Sequence, residues 1–276
     1  MRRRRAWGFA ALALKPSAHA TDHERMEIAL TGVLGAVAGS FLNVVSFRLP
    51  RHESLIRPAS RCPKCGTPVR PYDNVPVLSW LLLRGHCRTC HEPISPRYPL
   101  IEALTAALCV AVVLAHDTAS SIALGIALVL VVVPAAVIDF TDLVIPNELV
   151  AVGAVLALAL GTALDPSGEP ERLIAGVAAA GALLLVVIAY PRGMGMGDVK
   201  LAGVMGLFLG IDVIPALLIA IVSGSIVGGV VMARKGVRAG RKTALPFGVF
   251  LAFGAIVALF LGHPLVHWYS QHFLSH

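Results

Sequence analysis

Long apolar runs, broken by short polar connections, dominate the pattern along this chain. Runs of this kind lie near 28–47, 99–116, 120–139, 148–164, 172–190, 199–210, 213–233 and 244–262. A helix needs ~20 mostly apolar residues to cross a bilayer, because lipid tolerates no unpaired backbone group. The pattern therefore predicts an all-α polytopic membrane protein of about eight transmembrane helices. The run 199–210 is too short to cross alone and is expected to be tilted, broken or continuous with its neighbour. Small residues crowd several runs (Gly32, Gly35 and Gly39; Gly176 to Gly181; Gly224, Gly228 and Gly229), which lets helix backbones approach closely.

Composition agrees. Hydrophobic residues make up 57% of the chain and charged residues 14%, with a mean hydropathy of +0.78. A soluble domain runs about 45–50% apolar and about 25% charged, so a large soluble enzyme domain is excluded. The net charge of +7 is informative by position. Nine basic residues (Arg48, Arg51, Arg57, Arg61, Lys64, Arg70, Arg84, Arg88 and Arg97) separate the first two spans. Arg234, Lys235, Arg238, Arg241 and Lys242 separate the last two, and Arg192 and Lys200 mark the connection between the fifth and sixth. The alternate connections 117–119 and 165–171 and the tail 263–276 carry none. The positive-inside rule then puts the first large loop in the cytoplasm, and both chain ends outside.

The tail 1–25 conflicts with that orientation through Arg2, Arg3, Arg4, Arg5, Lys15 and Arg25. It reads either as a signal peptide ending near Ala18-His19-Ala20 or as an over-extended start, with Met26 as the native one. The second is favoured, because Met26-Glu27 abuts the first span. The expected organisation is a tail 1–25, a first transmembrane helix 26–47, a cytoplasmic cysteine domain 48–98, a transmembrane core 99–263 and a C-terminal tail 264–276.

Cys62, Cys65, Cys87 and Cys90 form C-x2-C-x21-C-x2-C within the basic loop. A reducing compartment disfavours disulfides, and paired CxxC knuckles suit a closed tetrahedral structural Zn2+ site. Redox dithiols and incidental cysteines are the competing readings. The loop has too little apolar sequence for a core, so metal binding would supply its folding energy. His86 and His91 read as surface residues, and Cys109 as a small buried group.

Carboxylates in or beside spans are functional candidates by default. Asp117, Asp165, Glu169 and Glu171 read as solvated in outer connections, Asp212 marks a span's far end, and Glu102 is expected to pair with Arg97 or snorkel. Asp139, Asp142, Glu148 and Asp198 remain on the cytoplasmic side. Asp139 ends the third span, and Asp198 follows Gly193-Met194-Gly195-Met196-Gly197, whose alternate glycines leave the backbone open to another extended chain. Two carboxyls within hydrogen-bond range hold one proton between them, and can act as base toward water and acid toward a leaving amine. The competing reading makes each acid an interfacial helix-end residue, with Lys200 beside Asp198.

The motifs Gly39-Ser40-Phe41-Leu42-Asn43 with Arg48-Leu49-Pro50, Cys62-Pro63-Lys64-Cys65, Asp73-Asn74-Val75-Pro76, Gly85-His86-Cys87-Arg88-Thr89-Cys90, Pro96-Arg97-Tyr98-Pro99 with Glu102, Asp139 with Pro146-Asn147, Gly195-Met196-Gly197-Asp198-Val199-Lys200 and Leu245-Pro246-Phe247-Gly248 occur in this order. Together they resemble the type IV prepilin peptidases over residues 30 to 255. The Gly-x-Gly-Asp element alone is less specific, since other intramembrane aspartyl proteases share it.

The resemblance implies a bifunctional enzyme of the bacterial inner membrane. Such an enzyme cleaves the cytoplasmic leader of type IV prepilins or pseudopilins and N-methylates the new terminus with S-adenosylmethionine. It implies Asp139 and Asp198 as catalytic aspartates, with Gly195 and Gly197 shaping the second one's loop. Asp142 departs from the pattern, since many relatives carry their extra acid one position earlier. No residue is assigned to the methyl donor; Asp73, Asn74 and Glu102 are weak candidates. Alternatives are a peptidase without methyltransferase activity, a membrane transporter, or a pilus-assembly scaffold with a zinc docking module. The basic residues are explained by topology and anionic lipid, so membrane lipid and a pilin precursor are expected partners and nucleic acid is not.

Overall fold

The computed structural model describes residues 22–190, 194–236 and 245–273. The tail segment 1–21 therefore lies outside the described residues, as do Arg192, Gly193, Arg238, Arg241 and Lys242. Nine α-helices are found among the described residues: α1 Asp22–Arg48, α2 Leu78–Leu82, α3 Arg97–Ala115, α4 Ala119–Asp142, α5 Asn147–Leu164, α6 Glu169–Ala189, α7 Met196–Leu209, α8 Val213–Lys235 and α9 Phe247–Phe273. Strand pairing among the described residues is confined to two isolated bridges, Arg61 with Pro68 and His86 with Pro93. The chain is a multi-pass membrane protein, with seven apolar segments long enough to cross.

One of the seven, Met196–Lys235, runs for 40 residues, about twice what a bilayer requires. It doubles back. Gly210 adopts φ +58°, a conformation open to glycine, and a 3-10 turn Gly210–Asp212 separates α7 from α8. The amide of Ile211, at the end of α7, donates to Glu171 at the start of α6. At the other end of α8, Gly228 lies beside Leu245, just before α9, and Gly224 beside Phe250. The expected short span is thus α7, a separate helix reversed against α8, which brings the count of membrane helices to eight. The last helix also continues through Pro264 to Phe273, past the expected end near 262.

Successive membrane helices alternate in direction. Gly35 faces Ala106 and Cys109 while Gly39 faces Glu102 and Thr105, so α1 and α3 are antiparallel. The cysteine loop, the turn 143–146, the end of α6, the start of α7, the end of α8 and the start of α9 therefore share one face, and 116–118, 165–168 and 210–212 the other. At the centre stands α4. Val131, Val132, Val133, Pro134 and Ala135 are buried in succession, around its whole circumference, as expected of a helix apolar on every side. Its β-branched run stays helical because every backbone group in lipid must bond within its own segment.

Close packing uses the small residues. A Cβ on Gly39 would fall 2.7 Å from the Glu102 Cα, and one on Gly206 would fall 2.6 Å from the Gly176 Cα. Gly181 and Gly229 face nothing within 4 Å. Gly206→Val should therefore force α6 and α7 apart, costing about 1–3 kcal/mol, read as a lowered unfolding temperature in detergent. Gly229→Val should leave that temperature unchanged.

Candidate active site and metal site

Asp198 is the third residue of α7, and its Oδ2 accepts the Gly195 amide at 3.1 Å. The carboxylate thereby satisfies one of the orphan donors at a helix start, where the helix dipole also favours negative charge. Asp139 lies in the last turn of α4, which ends when Leu143 turns left-handed (φ 55°) and donates its amide to the Asp139 carbonyl. Pro146 then begins α5. The Asp139 carboxyl points at the first turn of α9. A Cβ on Gly248 would fall 2.9 Å from its Oδ2, and the Gly248 and Val249 amides face it. Oδ2 itself is buried with no hydrogen-bond partner among the described residues.

The two carboxyls come together from separate helices. Asp139 is 6% exposed and Asp198 7%, and they are close enough to interact electrostatically. Ile145 lies between their supports: a Cβ on Gly197 would fall 3.0 Å from its Cβ, and one on Gly248 3.0 Å from its Cδ1. Gly197 thus permits α7 to approach the turn after α4, while Gly195 holds the N-cap. The expected alternative partner of Asp198 is engaged elsewhere, since Lys200 donates to Asn147 Oδ1 at 2.7 Å. The other two candidates stay apart from the pair. Asp142 faces Arg51 at 3.5 Å, and Glu148 is exposed in the first turn of α5.

Three expectations about acids are corrected. Glu102 accepts the Val77 amide at 2.7 Å, which ties the cysteine loop to α3. On the opposite face, Asp165 and Glu169 are bonded to buried Arg172 at 2.9 and 2.8 Å rather than solvated. Glu171 is exposed as expected, and accepts the Ile211 amide. Arg172 lies one residue beyond the connection whose charges were counted, and a basic residue three positions after a glutamate was the available cue.

The four thiols form one cluster, with all Sγ atoms within 4.8 Å of one another and Cys62 Sγ 3.7 Å from Cys90 Sγ. Four sulfurs at ~2.3 Å from a tetrahedral centre stand about 3.8 Å apart, so the donors fit a metal ion. Each pair sits in the same knuckle. The Cys62 amide donates to the Thr67 carbonyl and the Gly66 amide to the Cys62 carbonyl; Cys87 with Glu92, and His91 with Cys87, repeat both bonds. Gly66 and His91 both take positive φ, and the bridges Arg61–Pro68 and His86–Pro93 close the two loops. His91 is therefore a turn residue of the second knuckle.

Hydrogen bonding from Thr67 lowers the Cys65 thiol to about 6, and backbone amides of Cys90 and Thr89 lower Cys87. The Glu92 amide pulls Cys90 the same way, but burial and the three neighbouring thiols push it up to about 12. Four crowded sulfurs resist common ionisation, and a divalent cation relieves that conflict. Arg88 completes the loop with a two-toothed contact to Asp73 at 2.6 to 3.1 Å.

Residues 33–116 match the bacterial peptidase A24 N-terminal domain, and residues 124–232 match the type IV leader peptidase family. Three similar proteins are each named prepilin leader peptidase/N-methyltransferase. The one from Aeromonas hydrophila is 32% identical, over 89% of this chain and 94% of that protein. The one from Burkholderia pseudomallei strain 1026b is 34% identical, over 92% of each. The one from Myxococcus xanthus is 37% identical, over 76% of this chain, and the match spans 64% of that protein's length. No solved structure matches the chain.

Arg88 holds Asp73 below the usual carboxylate range. With the folded value the lower one, the contact supports the loop from the ordinary carboxylate range upward, and is lost as pH falls through the lowered value. Limited proteolysis at neutral pH should cut the loop faster in Asp73→Asn than in the parent, and the difference should vanish in acid.

Proposed function

The chain belongs to the type IV leader peptidase family, and on that footing we propose that it removes the leader of type IV prepilins or pseudopilins with Asp139 and Asp198 as its catalytic pair. The observation that carries this reading is that, of Asp139, Asp142, Glu148 and Asp198, only Asp139 and Asp198 are buried, and they lie next to each other on the face that bears the cysteine loop. That face is the cytoplasmic side of the bacterial inner membrane by its excess of basic residues. A prepilin has a basic leader inside and an apolar helix in the bilayer, so its scissile bond lies at the same level.

The chemistry needs one carboxyl ionised and the other protonated. The ionised one takes a proton from water as the oxygen adds to the scissile carbonyl. The protonated one gives its proton to the leaving nitrogen, and the carbon–nitrogen bond breaks to leave a leader carboxylate and a free pilin amine. Gly195 keeps the approach to Asp198 free of a side chain, so that an extended substrate backbone can lie against it, while Gly197 shapes the same loop by packing on Ile145.

Zn2+ is proposed for the four cysteines, as a closed structural site that folds the loop. Methylation of the new amine with S-adenosylmethionine is proposed from the names of the relatives. Of the weak donor-binding candidates, Asp73 is committed to Arg88 and Glu102 to Val77, which disfavours both; the exposed Asn74 is the third.

Two experiments test this. Asp139→Asn and Asp198→Asn should each abolish leader cleavage of a purified prepilin, by at least about 10²-fold, with unchanged yield in the membrane fraction. Normal processing by either variant refutes the pairing. Purified parent protein should carry one zinc per chain by elemental analysis, and Cys62→Ser with Cys87→Ser should carry none. An equal zinc content in parent and variant rejects the metal assignment.

A further inference from the structure

We propose that α2 lies in the headgroup–acyl boundary of the bilayer, with Leu78, Leu81 and Leu82 in contact with lipid, so that the cysteine loop is seated in the membrane surface. The three leucines are spaced i, i+3 and i+4 and share one helix face. They are 58%, 57% and 83% exposed. The polar groups of α2 itself point inward instead: Ser79 Oγ donates to the Tyr72 carbonyl, and the Trp80 indole to the Ile94 carbonyl. A short helix surrounded by water would be built the other way round.

The depth of α2 is set by a latch. Val77, its N-cap, donates its amide to buried Glu102 at 2.7 Å. Glu102 lies five residues into α3, roughly 7.5 Å along the axis from Arg97, and its side chain leans back toward the helix start by part of that distance. The 19 residues of α3 are just long enough to cross the hydrocarbon, so Arg97 stands at the boundary and Val77 at or just beneath it. Val77 is held at φ 61°, rare for a β-branched residue, and Asn43 fixes the same region by donating to the Tyr98 carbonyl.

Charge fits the same occupant. Arg84 follows α2 and Arg97 opens α3, both exposed, so their cations meet anionic headgroups while their stems cover acyl chain. Leu100 and Leu104 of α3 are exposed at the same depth and continue the apolar surface. The partner is therefore the acidic lipid boundary itself, and the proposal does not depend on the assigned chemistry.

The test uses the full chain in vesicles of phosphatidylcholine and phosphatidylglycerol. Leu82→Trp adds an indole, and its emission is read as the difference from the parent protein. Lipids brominated near the head of the acyl chain should quench more than half of the added emission, and lipids brominated near the chain tip less. Leu81→Trp repeats the measurement should the first variant misfold. A water-like, unquenched emission overturns the proposal, and so does a blue-shifted but unquenched one, which would mean that protein covers the site. Adding Glu102→Ala should cut the quenching at least in half; unchanged quenching would overturn the latch.

Discussion

Two carboxyls buried at one level of a lipid-embedded bundle are the costliest feature of this molecule, and much of the architecture can be traced to holding them. Each lies against the start of a helix, Asp198 accepting an amide at the start of its own α7 and Asp139 facing the first turn of α9. This requires the end of α4 and the beginnings of α7 and α9 to share a face, and the alternation of helix directions meets the requirement. Glycines finish the fit. Gly197 lets α7 close on Ile145, and Gly248 leaves room for Asp139 where a methyl group would collide with its oxygen.

The cysteine loop is tied to the same framework at several points. Glu102 bonds it to α3, which Asn43 of α1 holds through the Tyr98 carbonyl, and Arg51 reaches across to Asp142 at the end of α4. Its two knuckles repeat the same backbone bonds 25 residues apart, with Arg61 to Pro68 corresponding to His86 to Pro93. A knuckle of this kind needs little side-chain core, which is how a loop rich in arginine and proline attains a defined shape. The Lys64–Glu92 ion pair at 3.3 Å links the two knuckles.

Hydropathy made the spans legible, and the spacing of basic residues made their alternation legible, because both follow from the cost of placing charge or unpaired backbone in lipid. Neither could place a reversal inside a continuous apolar stretch. The turn at Gly210–Asp212 carries a single acid and one glycine in an unusual conformation, and only packing reveals it. The cysteine spacing announced a four-sulfur cluster, but not the likeness of its knuckles, since His91 replaces the glycine of the first. Acids were harder. Asp165 and Glu169 looked solvated because their partner, Arg172, sits inside the next helix, and Glu102 meets a backbone amide that no side-chain pattern encodes.

The brevity of α7 carries one more consequence. Fourteen residues reach roughly 21 Å, against a hydrocarbon slab of ~30 Å. With Gly210 level with the start of α6, the other end of α7 falls short of the surface by roughly 9 Å. Asp198, the third residue of α7, is therefore held beneath the surface of the slab rather than at it, and neighbouring helices keep it buried. A short helix thus lowers its own first turn into the slab, where a polar side chain has to be enclosed by protein.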